Sequence, residues 1–419
     1  MTIESESRPT SRLRQLLAGG GVIALAIVAM NVSVYAFQMV AARLLGPEQY
    51  GGVASLLGTL LVVSVLQLGL QATAARRIAA EPTDVGRVEH DILRISYRAS
   101  IVLAAALLVL SPVVERMLRL DSVYPALLLA VGTVPMTVMG AQAGILQGER
   151  RWIPLALVYL AAGVPRLVLG IVAMAIRPTE GAAMAAVALG WFAPVVVGWL
   201  ALRRSPVRTA HQSGDLAPML REIWHGSMAL LGFFALSNAD IVLSRNVLGN
   251  RESGLYAGGL ILTKAVLFLP QFVAVVAFPA MSTTAGRRRA LLRSLGLVGI
   301  CGVVCVAGAV LLNSIAMIFI GGDDYRAIED RLWLFAVLGT LLSALQLLVY
   351  SVLARQSRGS AYLLWVGVAV VIVVGLRLEH LTALLTLVTI VDAVLLAALL
   401  GLSLWRMQDD PRAAEETPG

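Results

Sequence analysis

Four ionisable residues stand deep inside apolar runs of the sequence, well away from their ends: Arg166 within Gly163-Val164-Pro165-Arg166-Leu167, Asp240 within Asn238-Ala239-Asp240, Lys264, and Asp392. A cation at the centre of a bilayer costs roughly 2.5 to 3.5 kcal/mol on insertion scales and 10 to 17 in simulations of an isolated helix, so each must face a cavity or a partner. A guanidinium fork offers matched bidentate donors to a phosphate group, which is the chemistry open to Arg166. The alternative for Arg166 is a structural ion pair with Asp240; Asp240 and Lys264, on helices that are neighbours in sequence, form the other pair to expect. Arg166, Lys264 and Asp240 together leave one excess positive charge, which suits an anionic lipid phosphate better than a cationic drug. Asp240 and Asp392 are the candidates for ion coupling, since a lone acid in hydrocarbon can exchange a proton. Asn31, Gln38, Gln67, Gln71 and Asn238 either line the same cavity or bond between helices.

The elements that must position these groups are transmembrane helices. Of the 419 residues 58% are hydrophobic and 14% charged, with a mean hydropathy of +0.84, against about 25% charged residues in a soluble domain. Twelve apolar runs each suffice to cross a core about 30 Å thick. They lie at 18–40, 51–74, 95–114, 124–145, 152–176 and 181–202, then at 227–247, 254–280, 294–320, 332–353, 359–376 and 381–405. The polar first 17 residues, with Arg8, Arg12 and Arg14, precede an apolar stretch longer than a signal peptide's, so the first helix is expected to be retained. With the N-terminus cytoplasmic, 22 of the 33 basic residues fall on the cytoplasmic side and nine on the other. That asymmetry supports both the helix count and an orientation with both termini cytoplasmic.

The same arrangement excludes several classes. The net charge of +8 comes from residues flanking apolar spans, not from a basic face for nucleic acid. Lys264, the lone lysine, stands between Thr263 and Ala265, which is no phosphate-cradling loop. The four histidines are far apart, and Cys301 and Cys305 share one apolar helix; no metal site and no cofactor are expected.

Leu45-Gly46 with Gly51 recurs as Leu248-Gly249 with Gly254, an offset of 203 residues. Six helices return a chain to its starting side, so the expectation is an all-α membrane protein of about twelve helices in two parallel-repeat lobes. The lobes would span residues 18–202 and 227–405, with cytoplasmic tails at 1–17 and 406–419 and a cytoplasmic linker at 203–226. Gly140, Gly144 and Gly148 mark one face of the fourth helix, and Gly254 and Gly258 one of the eighth, for close packing within a monomer. The longest loop on the outer side, Gly321 to Arg331, carries Asp323, Asp324 and Glu329 but is too short to house a glycosyltransferase or polymerase site by itself.

The segment Ala42-Arg43-Leu44-Leu45-Gly46-Pro47-Glu48-Gln49-Tyr50-Gly51 resembles the signature of polysaccharide-export flippases in the multidrug/oligosaccharidyl-lipid/polysaccharide superfamily. Leu146-Gln147-Gly148-Glu149-Arg150-Arg151, Asn238-Ala239-Asp240, Gly254-Leu255-Tyr256-Ala257 and Phe278-Pro279-Ala280-Met281-Ser282 follow in family order. The resemblance implies two six-helix lobes working by alternating access on a polyprenyl-pyrophosphate-linked saccharide. Arg166 and Lys264 would hold the phosphates and Asp240 would organise them, with Asn31 and Asn238 beside the substrate. It also implies membrane lipids as partners, and glycosyltransferases or a polymerase of the same pathway. A Na⁺- or H⁺-coupled drug antiporter of the same superfamily, centred on Asp240 and Asp392, is the alternative, followed by a scaffold for sugar-synthesis enzymes.

Overall fold

The computed structural model describes residues 9–80, 84–203, 217–267, 287–353 and 358–408. Among them the chain is helical, with no strand, and nine helices are long and apolar enough to cross a membrane. The first half comprises α1 (Pro9–Val63), α2 (Val65–Ala80), α3 (Val85–Leu118), α4 (Tyr124–Gly148), α5 (Trp152–Ile176), α6 (Glu180–Gly190) and α7 (Phe192–Leu202). The second comprises α8 (Ala217–Val247), α9 (Asn250–Val266), α10 (Arg287–Leu311), α11 (Asn313–Ile320), a 3₁₀ segment (Asp323–Arg331), α12 (Leu332–Leu353), α13 (Arg358–Gly375) and α14 (Leu381–Gln408). Phe278 to Ser282 and the end of the eighth span lie outside the described residues.

The spans expected at 152–176 and 332–353 coincide with α5 and α12. Elsewhere the structure departs from one straight helix per span, for local reasons. The first two spans join through Gly46, whose φ of 68° and ψ of 174° suit a residue without Cβ, and Pro47 then starts the next helix with φ already set. The sixth span breaks at Trp191 between α6 and α7. Pro194 lies four residues beyond Gly190, so it gives that carbonyl no N–H and crowds it. The ninth span breaks at Leu312, which joins α10 to α11.

Two lobes result. In the first, α5 packs along α1, and α4 packs against α2 and α3; in the second, α12 packs against α9, α10 and α14, and α13 against α8 and α14. The lobes meet where α1 touches α8 and α9. The glycine stripe of α4 serves this packing: a Cβ on Gly140 or Gly144 would press into the α2 backbone at Gln67 or Gln71, and one on Gly148 would lie 2.7 Å from Ile78 Cβ. Outward faces stay apolar, with Val102, Val109, Val303 and Val304 more than 60% exposed, as lipid-facing residues must be.

Candidate functional site

Between the lobes lies a cavity of about 430 Å³. α1 and α2 give it Asn31, Gln38, Gln67 and Gln71, α5 gives Tyr159 and Arg166, and the sixth span gives Trp191. From the other lobe come Ser237 and Asn238 on α8, Lys264 on α9 and Gln346 on α12. The sequence-predicted residues Arg166, Lys264, Asn31 and Asn238 therefore converge on one space, together with the three glutamines.

Arg166 is only 6% exposed. Helix α6 closes on it so tightly that a Cβ on Gly190 would stand 2.9 Å from Arg166 Cα. Its guanidinium lies over the Phe37 ring, 4.8 Å from the centroid, a contact that orients a cation without neutralising it. Arg166 Nε has no hydrogen-bond acceptor among the described residues. Phe37 is itself locked in place, since a Cβ on Gly170 of α5 would collide with its ring.

The expected ion pairs are not formed. Among the described residues no carboxylate lies within salt-bridge distance of Arg166 or Lys264. Asp240 sits behind the cavity wall, 2% exposed, where Oδ2 accepts the Tyr256 hydroxyl at 2.8 Å and Oδ1 accepts the Ile241 amide at 2.8 Å. Neutral donors thus replace the cation as its partner, and Lys264 stays on the cavity side within electrostatic reach of both Asp240 and Arg166. Tyr256 packs edge-on against Phe335 with centroids 5.6 Å apart. Asp392 is fully buried nearby, and neither carboxylate oxygen has a donor among the described residues.

The amides divide in two. Gln71 Nε2 donates to Tyr159 Oη at 2.8 Å and to Gln147 Oε1 at 3.1 Å, and Gln67 Nε2 reaches Met139 Sδ at 3.5 Å, so these bond between helices while lining the cavity. Asn238 Nδ2 donates to Phe234 O at 2.9 Å, yet its buried Oδ1 has no donor among the described residues.

Trp191 is a site residue that sequence reasoning missed. It lines the cavity next to the Gly190 contact with Arg166, and its buried Nε1–H has no acceptor among the described residues. Its only sequence signal was Pro194 three residues on, which marks a helix break inside a long apolar run. The cavity wall thus presents donors at Arg166, Trp191 and Lys264 and one open acceptor at Asn238. That set has the donors and the acceptor to receive an anion with an attached polar group, within a volume typical of small-molecule sites.

The sequence profile of the family described as "Polysaccharide biosynthesis protein" matches residues 16–285. The chain belongs to this family. No curated protein matches it. Among solved structures, it is similar to a multidrug resistance MATE family transporter of the MOP superfamily in an inward-facing conformation, with a TM-score of 0.72, 14% identity, and coverage of 94% of this chain and 100% of the other. The MATE multidrug transporter DinF-BH superposes with a TM-score of 0.65 at 14% identity over 97% of each chain. A eukaryotic MATE transporter gives 0.60 at 15% over 96% of this chain and 99% of the other. These likenesses establish the fold: twelve membrane helices in two lobes. Family and fold together make this member of the polysaccharide biosynthesis family a multi-pass membrane transporter of the flippase type.

Proposed function

We propose that this transporter carries a polyprenyl-pyrophosphate-linked saccharide across the bacterial plasma membrane by alternating access, for cell-surface polysaccharide synthesis. The observation that carries the reading is the unneutralised guanidinium of Arg166, buried midway along a membrane helix and facing a cavity. An uncompensated cation in that position is costly unless an anion visits it. Arg166 and Lys264 take the phosphates, Asn31 and Asn238 meet the head group, and Asp240 organises the cationic side from behind the wall. A cavity of about 430 Å³ fits a short head group of drug-like size and not a finished polymer. The polyprenyl tail remains in lipid. The basic residues support cytoplasmic termini, with lobes at 18–202 and 227–405 and partner glycosyltransferases or a polymerase on the same pathway.

Transport of a fluorescent lipid-linked oligosaccharide in proteoliposomes tests this. Arg166→Ala is expected to lower the rate by more than tenfold, as removal of a charge-assisted contact worth about 1.5 to 3 kcal/mol requires. Flipping at the parent rate would remove Arg166 from the mechanism.

A second reading rests on the carboxylates. Asp240 and Asp392 lie buried close to Tyr256, where a Na⁺ or H⁺ can be taken up and its gradient coupled to transport. A cation-driven drug antiporter would need this pair and would be indifferent to Arg166. Asp392→Asn and Arg166→Ala, assayed side by side on the lipid-linked saccharide and on a cationic dye, separate the two.

A further inference from the structure

The family-like segment around Gly46 and its repeat around Gly249 are not part of the cavity; they form the closed end of the interlobe cleft. There the lobes touch through backbone. A Cβ on Gly51 would lie 3.2 Å from Gly254 Cα, and one on Gly254 would run into the Pro47 carbonyl. Three arginines tie this end across the lobes, and every acceptor is a backbone carbonyl. From the first lobe, Arg43 Nη2 donates to Ile318 O at 2.8 Å, and Arg119 donates to Asn246 O at 2.8 Å and Leu248 O at 3.1 Å. From the second, Arg245 donates to Leu118 O at 2.7 Å and to Arg119 O. Tyr325 Oη adds a bond of 3.3 Å to Ala42 O.

The pattern obeys the repeat. Arg43 lies two residues before Leu45-Gly46 at the end of the first span, and it reaches the end of the ninth. Arg245 lies three before Leu248-Gly249 at the end of the seventh, and it reaches the end of the third. First and seventh are equivalent helices, as are third and ninth, so the same tie is made twice under the pseudo-twofold relation. Its acceptors sit at helix C-termini, where carbonyls lack intrahelical partners and the helix dipole is negative. Arg119 holds a left-handed φ of 46°, a conformation that costs a non-glycine residue about 1 to 2 kcal/mol. It closes α3 there with its side chain turned to the other lobe. Arg245 is 2% exposed, and the buried Glu180, which accepts the Asp121 amide at 3.3 Å, lies within electrostatic reach of it.

We propose that Arg43, Arg119 and Arg245 are the outer gate of this transporter: a paired latch of guanidinium-to-carbonyl bonds that breaks each time the cavity turns to the far side. Carbonyl acceptors suit a reversible latch. When the lobes part, water replaces them and no direct ion pair has to be broken, since among the described residues Glu180 lies within electrostatic reach of Arg245 but forms no ion pair with it. The proposal rests on the alternating access and cytoplasmic termini proposed above, and not on which substrate the cavity takes.

The test is the distance across the closed end, measured by pulsed electron resonance between spin labels at Met117→Cys and Asn250→Cys, in a Cys301→Ala/Cys305→Ala background in lipid nanodiscs. The parent is expected to show mainly the short distance. Arg245→Gln and Arg119→Gln are each expected to raise the ratio of long to short populations about tenfold, the equivalent of losing one charge-assisted bond. Arg245→Lys, which cannot fork to two carbonyls, should fall between. Arg43 is exposed, so Arg43→Gln keeps the fold and reports on the latch even where Arg245→Gln does not fold. Unchanged distributions in Arg43→Gln and Arg119→Gln would overturn the proposal, whatever the transport assay gives.

Discussion

Tyr256 donates its hydroxyl to Asp240 Oδ2 at 2.8 Å, and both groups are almost completely buried. Losing that donor leaves a carboxylate oxygen in an apolar surround, so Tyr256→Phe is expected to destabilise the protein by about 1 to 3 kcal/mol. Denaturation of the purified transporter in detergent measures this. Adding Asp240→Asn should make the tyrosine substitution less damaging, because the unpaired group is then uncharged; strictly additive losses would mean the two residues act separately.

Phe37 and Arg166 form the second pair to test. The ring lies under the guanidinium in a desolvated place, where such a contact is worth up to about 2 kcal/mol. Phe37→Leu retains bulk and loses the π face. It is expected to weaken binding of a polyprenyl pyrophosphate by about three- to tenfold in calorimetry, without a matching change for an uncharged polyprenol. Equal losses for both ligands would assign the effect to packing against Gly170.

Trp191→Phe removes one buried N–H and keeps an aromatic ring against the cavity. With the indole donating to the bound anion, the apparent affinity for the same pyrophosphate is expected to fall by about tenfold while the maximal rate changes little. An affinity equal to the parent would leave Trp191 as a packing residue at the α6–α7 break.

How far these relations were legible in the sequence depends on what each contact is made of. Helix ends flanked by charge were readable: Arg151 and Arg177 bracket α5, and the expected span coincides with it. Convergence of Arg166 and Lys264 followed from the cost of charge in hydrocarbon. Their partners did not. Pairing by charge named Asp240 for both cations; the fold gave Asp240 a tyrosine sixteen residues on, across two helices whose facing sides only packing decides. The arginine ties were less legible still. Every residue carries a carbonyl, so an arginine bonding to Ile318 O or Leu118 O leaves no trace in the acceptor's identity. In sequence Arg43 reads as part of the family-like segment, Arg119 as a loop charge, and Arg245 as a charge at the end of the seventh span. The repeat of Leu-Gly around them was visible, and its structural meaning is the approach of Pro47 to Gly254.

That approach gives the last prediction. A methyl group on Gly254 has no room beside the Pro47 carbonyl, and backbone, unlike a side chain, has no other rotamer to take. Gly254→Ala is expected to cost about 1 to 3 kcal/mol or more and to favour the state in which the lobes are apart at this end. Gly308, on the lipid side of α10, has nothing within 4 Å of where an added methyl would stand, so Gly308→Ala should stabilise the helix by about 0.5 to 1 kcal/mol. The two substitutions are chemically identical, and their opposite signs in thermal unfolding would trace the difference to the interlobe crossing. A Gly254→Ala protein as stable as Gly308→Ala, with unaltered distances across the closed end, would show that the crossing is looser than the packing of Pro47 on Gly254 requires.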